Sequence, residues 1–390
     1  MIFFSNPNEL KYLQTRIERL KSLNEQLCSH IDFTNVKKYR SCPYLERFNL
    51  YFESYDTKIG GRFVRFCCSD LDNRPGSSFC GTSQETAAQI KKELTNTVSE
   101  SKIFSLLDMG GDKYETRKFT STCAKCDLFQ LKEWKGSDGL IHLISFTMSP
   151  SPCQCRCIYC GNHKYVNMIK NSFLHLENAR KVFDTINCLK NNDMIANDLV
   201  WQMASGEITI HPFKDQIYSL IGNQTAHFFT NCFIYDKSIS INLATNPNSV
   251  INLSIDSGTP QTWKRVKGVD NFSTVLDNLR KYSANCIKPE QITLKYLILP
   301  GINDSLEDYT SVIDIMKSLK IKNLDISCDM RERYSRNKEQ SKTLSKATGY
   351  LLAMLEKNNI SYSVHNVHFS SDELKNSFAF SNELLSSGII

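Results

Sequence analysis

The chain has 390 residues, 41% apolar and 23% charged, enough to bury a substantial core and long enough for two domains or one large α/β barrel with an appendage. Its net charge of +6 is a mild excess, and with no Lys/Arg block or Gly-Arg tract a nucleic-acid surface is not expected. Fifteen cysteines, an opening apolar run too short for a secretory signal and no stretch near the ~20 apolar residues that span a bilayer point to a cytoplasmic protein whose thiols bind metal rather than pair as disulfides.

Residues 1–35 carry Leu10, Leu13, Ile17, Leu20, Leu23 and Leu27 at spacings of three and four, the pattern of an amphipathic helix. Residues 36–135 hold Cys42, Cys67, Cys68, Cys80, Cys123 and Cys126. Short strands are expected over 48–53 and 62–66 around a turn at Gly60-Gly61, a second turn at 72–76, and a helix over 85–94. Cys123-Ala124-Lys125-Cys126 is a C-x2-C knuckle whose two thiols can reach one metal from a tight turn.

From about residue 138 the chain alternates between strand and helix. Residues 140–146 form a continuous apolar run of buried-strand length. They lead into Cys153-Gln154-Cys155-Arg156-Cys157-Ile158-Tyr159-Cys160. Cys153, Cys157 and Cys160 stand at C-x3-C-x2-C spacing. Three thiolates can hold a cubane iron–sulfur cluster and leave one iron open for a small molecule; a zinc knot that also uses Cys155 is the structural alternative. A helix is expected over 173–190, then strands over 198–203, 226–231, 250–258, 292–299 and 323–328. Asp304 is placed as a helix cap and His211 as a hydrogen-bonded structural histidine. Period-two alternation puts Asn252, Ser254 and Asp256 on one strand face. The lysines and arginine of 262–268 suit solvent or a ligand equally. Asp329, Arg331, Arg333 and Tyr334 follow the last of these strands and are substrate-contact candidates. A helix over 340–356, an edge strand over 360–364 and a Ser/Asn-rich tail from 369 close the chain.

The cysteine loop, with Tyr159 before its last thiol, resembles the signature of radical S-adenosylmethionine (SAM) enzymes. The resemblance implies that Cys153, Cys157 and Cys160 ligate a [4Fe–4S] cluster whose open iron chelates SAM, with Cys155 a passenger. An external one-electron donor of the flavodoxin or ferredoxin type reduces the cluster, and a 5′-deoxyadenosyl radical abstracts hydrogen from the substrate. Ser205-Gly206-Glu207 looks like the family's Gly-Gly-Glu motif, with Ser205 replacing the first glycine and Glu207 set to pair with the SAM ammonium. Tyr159, Ser254, Asp256 and Ile302 join these as cofactor contacts; Cys232 and Cys328 are hydrogen-donor candidates, against a plain role as buried apolar cysteines.

The upstream cysteines resemble a SPASM-type auxiliary module, here preceding the barrel. They imply a second [4Fe–4S] cluster on Cys42, Cys67 or Cys68, Cys123 and Cys126, with Cys80 in reserve and a zinc ribbon as the alternative. The expected architecture is therefore an α/β chain: an N-terminal helix (1–35), a small Cys-rich α+β auxiliary-cluster domain (36–135), a partial (β/α)6 TIM-like barrel (138–335) and a C-terminal helix, edge strand and tail (336–390). The expected activity is modification of a ribosomally made peptide by cross-linking, epimerisation or oxidation. A radical SAM oxidoreductase or epimerase of a sugar, nucleotide-sugar or aminoglycoside is the enzyme alternative, and a zinc-binding interaction module the non-enzymatic one.

Overall fold

The computed structural model describes residues 36–52, 64–65, 82–92, 94, 128–135, 138–146, 152–160, 173–203, 206–332, 335–365 and 368–390. The helix expected before residue 36 and the turns expected at 60–61 and 72–76 lie outside these residues. The chain forms two compact units, one of residues 1–48, 72–75 and 88–139 and the other of residues 49–71, 76–87 and 140–390.

In the first unit, β1 (Lys38–Ser41) pairs antiparallel with β4 (Gln130–Glu133). A two-stranded ribbon is marginal in water, and local anchors support it. The buried Tyr39 hydroxyl donates to the Glu46 carboxylate at 2.9 Å, and the Tyr39 carbonyl accepts from the Trp134 indole at 3.0 Å. Cys42, Leu45 and Phe129 pack in a small apolar cluster. Residues 83–92 are helical, opened by a capping box in which the Glu85 N–H donates to the Thr82 hydroxyl (3.2 Å) and the Thr82 N–H to the Glu85 carboxylate (2.7 Å).

The second unit is built on a sheet of β2 (Asn49–Phe52), β3 (Val64–Arg65), β5 (Ile141–Phe146), β6 (Ile195–Met203), β7 (Thr225–Thr230), β8 (Val250–Ser254), β9 (Ile292–Ile298), β10 (Asn323–Cys328) and β11 (Ser361–Val364). The spatial order is β11-β10-β9-β8-β7-β6-β5-β2-β3. Every neighbouring pair is parallel except β2–β3, so eight strands run in parallel. Between the strands run α1 (Phe173–Asn191), α2 (Lys214–Ile221), α3 (Lys237–Thr245), α4 (Pro260–Lys267), α5 (Phe272–Asn285), α6 (Leu306–Ser318) and α7 (Lys338–Lys357), and α8 (Ser371–Ser387) ends the chain. From β5 to β11 the spatial order follows chain order without a reversal. A doubly wound sheet would turn back at a switch point; this one is wound in a single direction.

Two elements differ from the sequence expectation. Asn49–Phe52 had been assigned to the upstream module but pairs in parallel with β5. All four of its residues are buried, as in an interior parallel strand covered on both faces. The Ser/Asn-rich tail is the helix α8, with Ser370 and Glu373 forming a reciprocal capping box at its start. Its anchor is an ion pair between Arg336 and Glu373, in which Nε donates to Oε1 at 2.8 Å and neither side chain is more than 5% exposed. Gly349 of α7 lets the helices meet closely: a Cβ there would lie 2.5 Å from the Ser377 carbonyl oxygen.

The sheet's two faces differ in kind. Trp201, Phe228, Ile251, Leu253, Leu294, Tyr296, Leu324 and Ile326 are fully buried on one face. The alternate positions, among them Gln202, His227, Asn252, Ser254, Thr293, Lys295 and Asp325, are only half-buried, so the opposite face is polar.

Glu373→Gln should cost about 3–5 kcal/mol by stranding the buried Arg336 charge, measured by urea unfolding, with the exposed Asp372→Asn as the neutral control. Burial pushes the Glu373 carboxyl up, but Arg336, the Ser370 N–H and the Ser341 hydroxyl together hold it below its ordinary value. This stabilisation is therefore present at neutral pH and is lost as pH falls through the lowered folded value. The wild type should lose more stability than the Gln variant between about pH 5 and pH 3.

Candidate active site

The cysteine loop 152–160 is fixed by backbone hydrogen bonds from two other segments. Arg156 N–H donates to the Lys267 carbonyl at 2.8 Å and Ile158 N–H to the Val266 carbonyl at 3.0 Å, so the loop lies against the end of α4. Pro152 O accepts from the Glu207 N–H at 2.9 Å, tying the loop to the segment after β6. The loop is thereby held between the end of α4 and the segment after β6. Gly268 ends α4 at φ +69, and a Cβ there would lie 2.9 Å from the Arg156 carbonyl oxygen. Both the left-handed backbone and the close approach require glycine.

Beneath the loop is a buried ionic cluster. Tyr159 OH donates to Asp256 Oδ2 at 2.6 Å, and Lys267 Nζ lies 2.5 Å from the same oxygen and 3.0 Å from the Tyr159 hydroxyl. The Asp256 side chain is fully buried and that of Lys267 is 2% exposed. Burial alone would push the Lys267 ammonium down, but the Asp256 and Cys157 charges hold it above its ordinary value. Lys267 also sits 5.2 Å from the Trp263 ring centroid. Asp256 is in turn held by β9: its Oδ1 accepts from the Leu297 N–H at 2.7 Å, and Asn303 Nδ2 donates to its carbonyl at 2.8 Å. Both carboxylate oxygens of this residue, expected at the SAM ribose, are thus taken up by protein. Ser254, two residues earlier, is half-buried.

A second polar chain runs from Glu207. Its Oε1 accepts from the hydroxyls of Thr209 and Thr230, both at 2.8 Å, and its Oε2 from the Asn231 N–H at 2.7 Å. Burial pushes the fully buried Glu207 carboxyl up against these donors. The Asn231 amide donates to Gln154 Oε1 at 3.1 Å and approaches Cys153 Sγ at 3.6 Å, so the carboxylate and the first thiol of the loop share one neighbour. Gly206 precedes Glu207 at φ +66.

The thiols are not equivalent. The Cys155 thiol bonds to both Cys153 and Cys157, which pushes it far up. The same bonds pull its partners down: Cys153 falls below its ordinary value, and Cys157 falls to about 6, with the Lys267 charge helping against burial. Thiolates are what iron–sulfur clusters bind, and the C-x3-C-x2-C donor set of Cys153, Cys157 and Cys160 is of a kind that could hold one. Among the described residues no three His, Cys, Asp or Glu side chains converge as on a single ion. A cubane presents separate irons to its ligands and asks for no such convergence.

Residues 152–313 match the Radical SAM superfamily. A "UPF0026 protein" of Helicobacter pylori strain ATCC 700392/26695 is 24% identical over 194 residues, covering 46% of this chain and 59% of the relative. That of strain J99 is 22% identical over 191 residues. The chain thus spans little more than half the length of the curated relatives it matches. Among solved structures, Streptococcus suis SuiB bound to its precursor peptide SuiA aligns with a TM-score of 0.43 at 13% identity, covering 88% of this chain and 75% of that one. SuiB bound to SAM aligns with a TM-score of 0.41 at 12% identity, covering 73% and 66%.

The other expected site residues divide as follows. Ile302 is half-buried in the turn after β9, its N–H donating to the Leu299 carbonyl at 2.9 Å. Asp304 does not cap α6: Ser305 does, its hydroxyl accepting from the Asp308 N–H at 3.1 Å, while Asp304 accepts from the Gly301 N–H at 2.8 Å. Cys232 is fully buried, and the Cys328 thiol, pushed up to about 12 by burial, donates to the His368 carbonyl at 3.1 Å. Asp329 and Arg331 pair with each other, Nε lying 2.9 Å from Oδ1, and Arg331 lies close enough to feel the charge of Cys160. His211 accepts from the Phe213 N–H at 3.2 Å, and burial holds its imidazole down at about 4, neutral as a structural histidine would be. Ser205, Arg333, Tyr334, Cys67, Cys68, Cys80, Cys123 and Cys126 lie outside the described residues, so only Cys42 of the auxiliary ligand set is described.

Two residues carry more of the site than their sequence context suggested. Lys267 ends a run of basic residues, but Trp263, Val266 and Lys267 are the buried positions of α4; their spacing of three and four was a legible signal. Asp308 accepts from the Ser257 hydroxyl (3.0 Å), the Gly258 N–H (3.1 Å) and the Thr262 hydroxyl (3.0 Å), and so shapes the turn that leads into α4.

Lys267→Met should lower stability by about 3–5 kcal/mol by leaving Asp256 uncompensated, and iron retained after anaerobic reconstitution should fall well below wild type. Lys264→Met, which removes an exposed ion pair on the same helix, should change neither. Wild-type iron content in the Lys267 variant would show that the buried cluster does not hold the loop.

Proposed function

We propose that the chain is a radical SAM enzyme acting on a ribosomally made peptide. The observation that carries the reading is the C-x3-C-x2-C loop held against both Glu207 and the Tyr159–Asp256–Lys267 cluster, inside a segment that matches the superfamily. When bound, the [4Fe–4S] cluster and SAM supply one-electron cleavage to a 5′-deoxyadenosyl radical that removes a hydrogen atom from the substrate, the electron coming from an external flavodoxin- or ferredoxin-type donor.

The protein's own residues hold and shield. Cys153, Cys157 and Cys160 serve as the cluster ligands. Glu207, a buried carboxylate with no cation beside it among its hydrogen-bond partners, receives the SAM ammonium. Ser254 and Ile302 are proposed to contact the ribose and adenine, with Tyr159 and Asp256 positioning the loop beneath. The single-direction winding of the sheet is the order that a partial (β/α)6 barrel uses, with its mouth at the loop end. Asp329, Arg331, Arg333 and Tyr334 are proposed at that mouth.

The peptide substrate rests on the SPASM-like spacing of Cys42, Cys67, Cys68, Cys123 and Cys126, which goes with a second [4Fe–4S] cluster in peptide-modifying enzymes. Anaerobic reconstitution followed by SAM and reductant should release 5′-deoxyadenosine, and Cys157→Ala should abolish it. Replacing both Cys123 and Cys126 with Ala should halve the iron, from about eight per chain to about four, the content of two cubanes against one. Zinc without sulfide would replace this reading with that of an interaction module.

A further inference from the structure

The polar face of the sheet carries a row of directly paired positions. Ser254 of β8 is opposite Lys295 of β9, Lys295 is opposite Asp325 of β10, and Asp325 is opposite Ser363 of β11. Adjacent lysine and aspartate on one sheet face would ordinarily join. Here Asp325 is turned to other partners. Its Oδ2 accepts from Asn252 Nδ2 at 2.8 Å, its Oδ1 accepts from the Ser363 hydroxyl, and His365 Nε2 lies 3.9 Å away. Lys295 is left half-buried, with no hydrogen bond or ion pair to any carboxylate among the described residues. Burial holds its ammonium below the ordinary lysine value, the charges of Asp256 and Asp325 countering only part of that. Beside it the Asn252 amide oxygen is buried without a hydrogen-bond partner.

We infer that Lys295 and Asn252 form the substrate-recognition site of the chain, with Lys295 receiving a carboxylate and the Asn252 amide oxygen an N–H of the same ligand. The inference rests on the proposed radical SAM reading and adds to it that the peptide presents an acidic side chain or its terminal carboxylate next to the carbon that reacts. A cation half-removed from water without a counter-charge is costly, and an arriving anion relieves that cost. A carboxylate N–H pair is what a peptide backbone beside an acidic group offers. A phosphate is disfavoured, because its second charge would face Asp325 with nothing left to neutralise it. The place is also right: Ser254, opposite Lys295, ends β8 two residues before Asp256, whose carboxylate holds Tyr159 of the cysteine loop.

The test uses the anaerobically reconstituted chain, a neutral isothiocyanate that labels amines, and peptide mass spectrometry to follow Lys295. Acetylglycine, inorganic phosphate and SAM are added separately at constant ionic strength. Acetylglycine should slow labelling of Lys295 about tenfold at ten times its dissociation constant, since only the unoccupied fraction reacts, and phosphate should protect far less. Acetate, added in the same way and lacking the N–H, should protect Lys295 less well than acetylglycine at equal concentration. Equal or better protection by phosphate would replace the carboxylate with a phosphorylated ligand. Protection by SAM alone would assign Lys295 to the cofactor, and no protection by any of the three would remove the site. None of these outcomes depends on 5′-deoxyadenosine formation, so the site and the radical SAM reading can fail separately.

Discussion

The ion pair between Lys267 and Asp256, shared with the Tyr159 hydroxyl, is the constraint on which the rest of the site depends. It is almost fully removed from water, where Coulomb attraction is strong but desolvation is costly. Replacing such a pair with apolar side chains can be neutral for stability, so its value here lies in specificity of position. The three residues come from the cysteine loop, the end of β8 and the end of α4. Their common oxygen, Asp256 Oδ2, lets those segments meet in one way, and the backbone bonds from Arg156 and Ile158 to α4 complete the fit. Positive charge is thereby placed beside Cys157, where a thiolate-bound cluster would carry negative charge.

The loop also joins Glu207 through Asn231 and Pro152. A carboxylate buried among hydroxyl and amide donors is poised for a cation, and the same asparagine that steadies it approaches the first thiol. Glu207 and Cys153 are therefore linked through a single side chain.

Much of the site was legible because its chemistry is written in spacing. The C-x3-C-x2-C pattern singles out three thiols, and period-two alternation put Asn252 and Ser254 on the face that proves polar. The strands from 140 to 328 were visible as apolar runs with helices between them. What could not be seen was partnership across the chain. Helical spacing from Trp263 sets Lys267 apart from Lys264 as the buried one but does not reveal the carboxylate it meets. Asp256 reads as a polar strand-end residue, and only the arrival of β9 and α4 claims both its oxygens. Asn49–Phe52 was misplaced because short strands between turns suggest a hairpin, and its parallel partner lies about ninety residues away. The tail was read by its Ser/Asn content, although Ser370 and Glu373 spelled a helix start.

Arg336 connects the end of the chain to the rim of the site. Besides its pair with Glu373 it donates to the Asp329 carbonyl at 3.1 Å and the His368 carbonyl at 3.0 Å. The segment that carries Asp329 and Arg331 is thus braced, through Arg336, by Glu373 of α8. Truncation before Glu373 would leave the Arg336 charge without its partner and the Asp329–Arg331 segment without its brace, even with every cysteine of the loop in place.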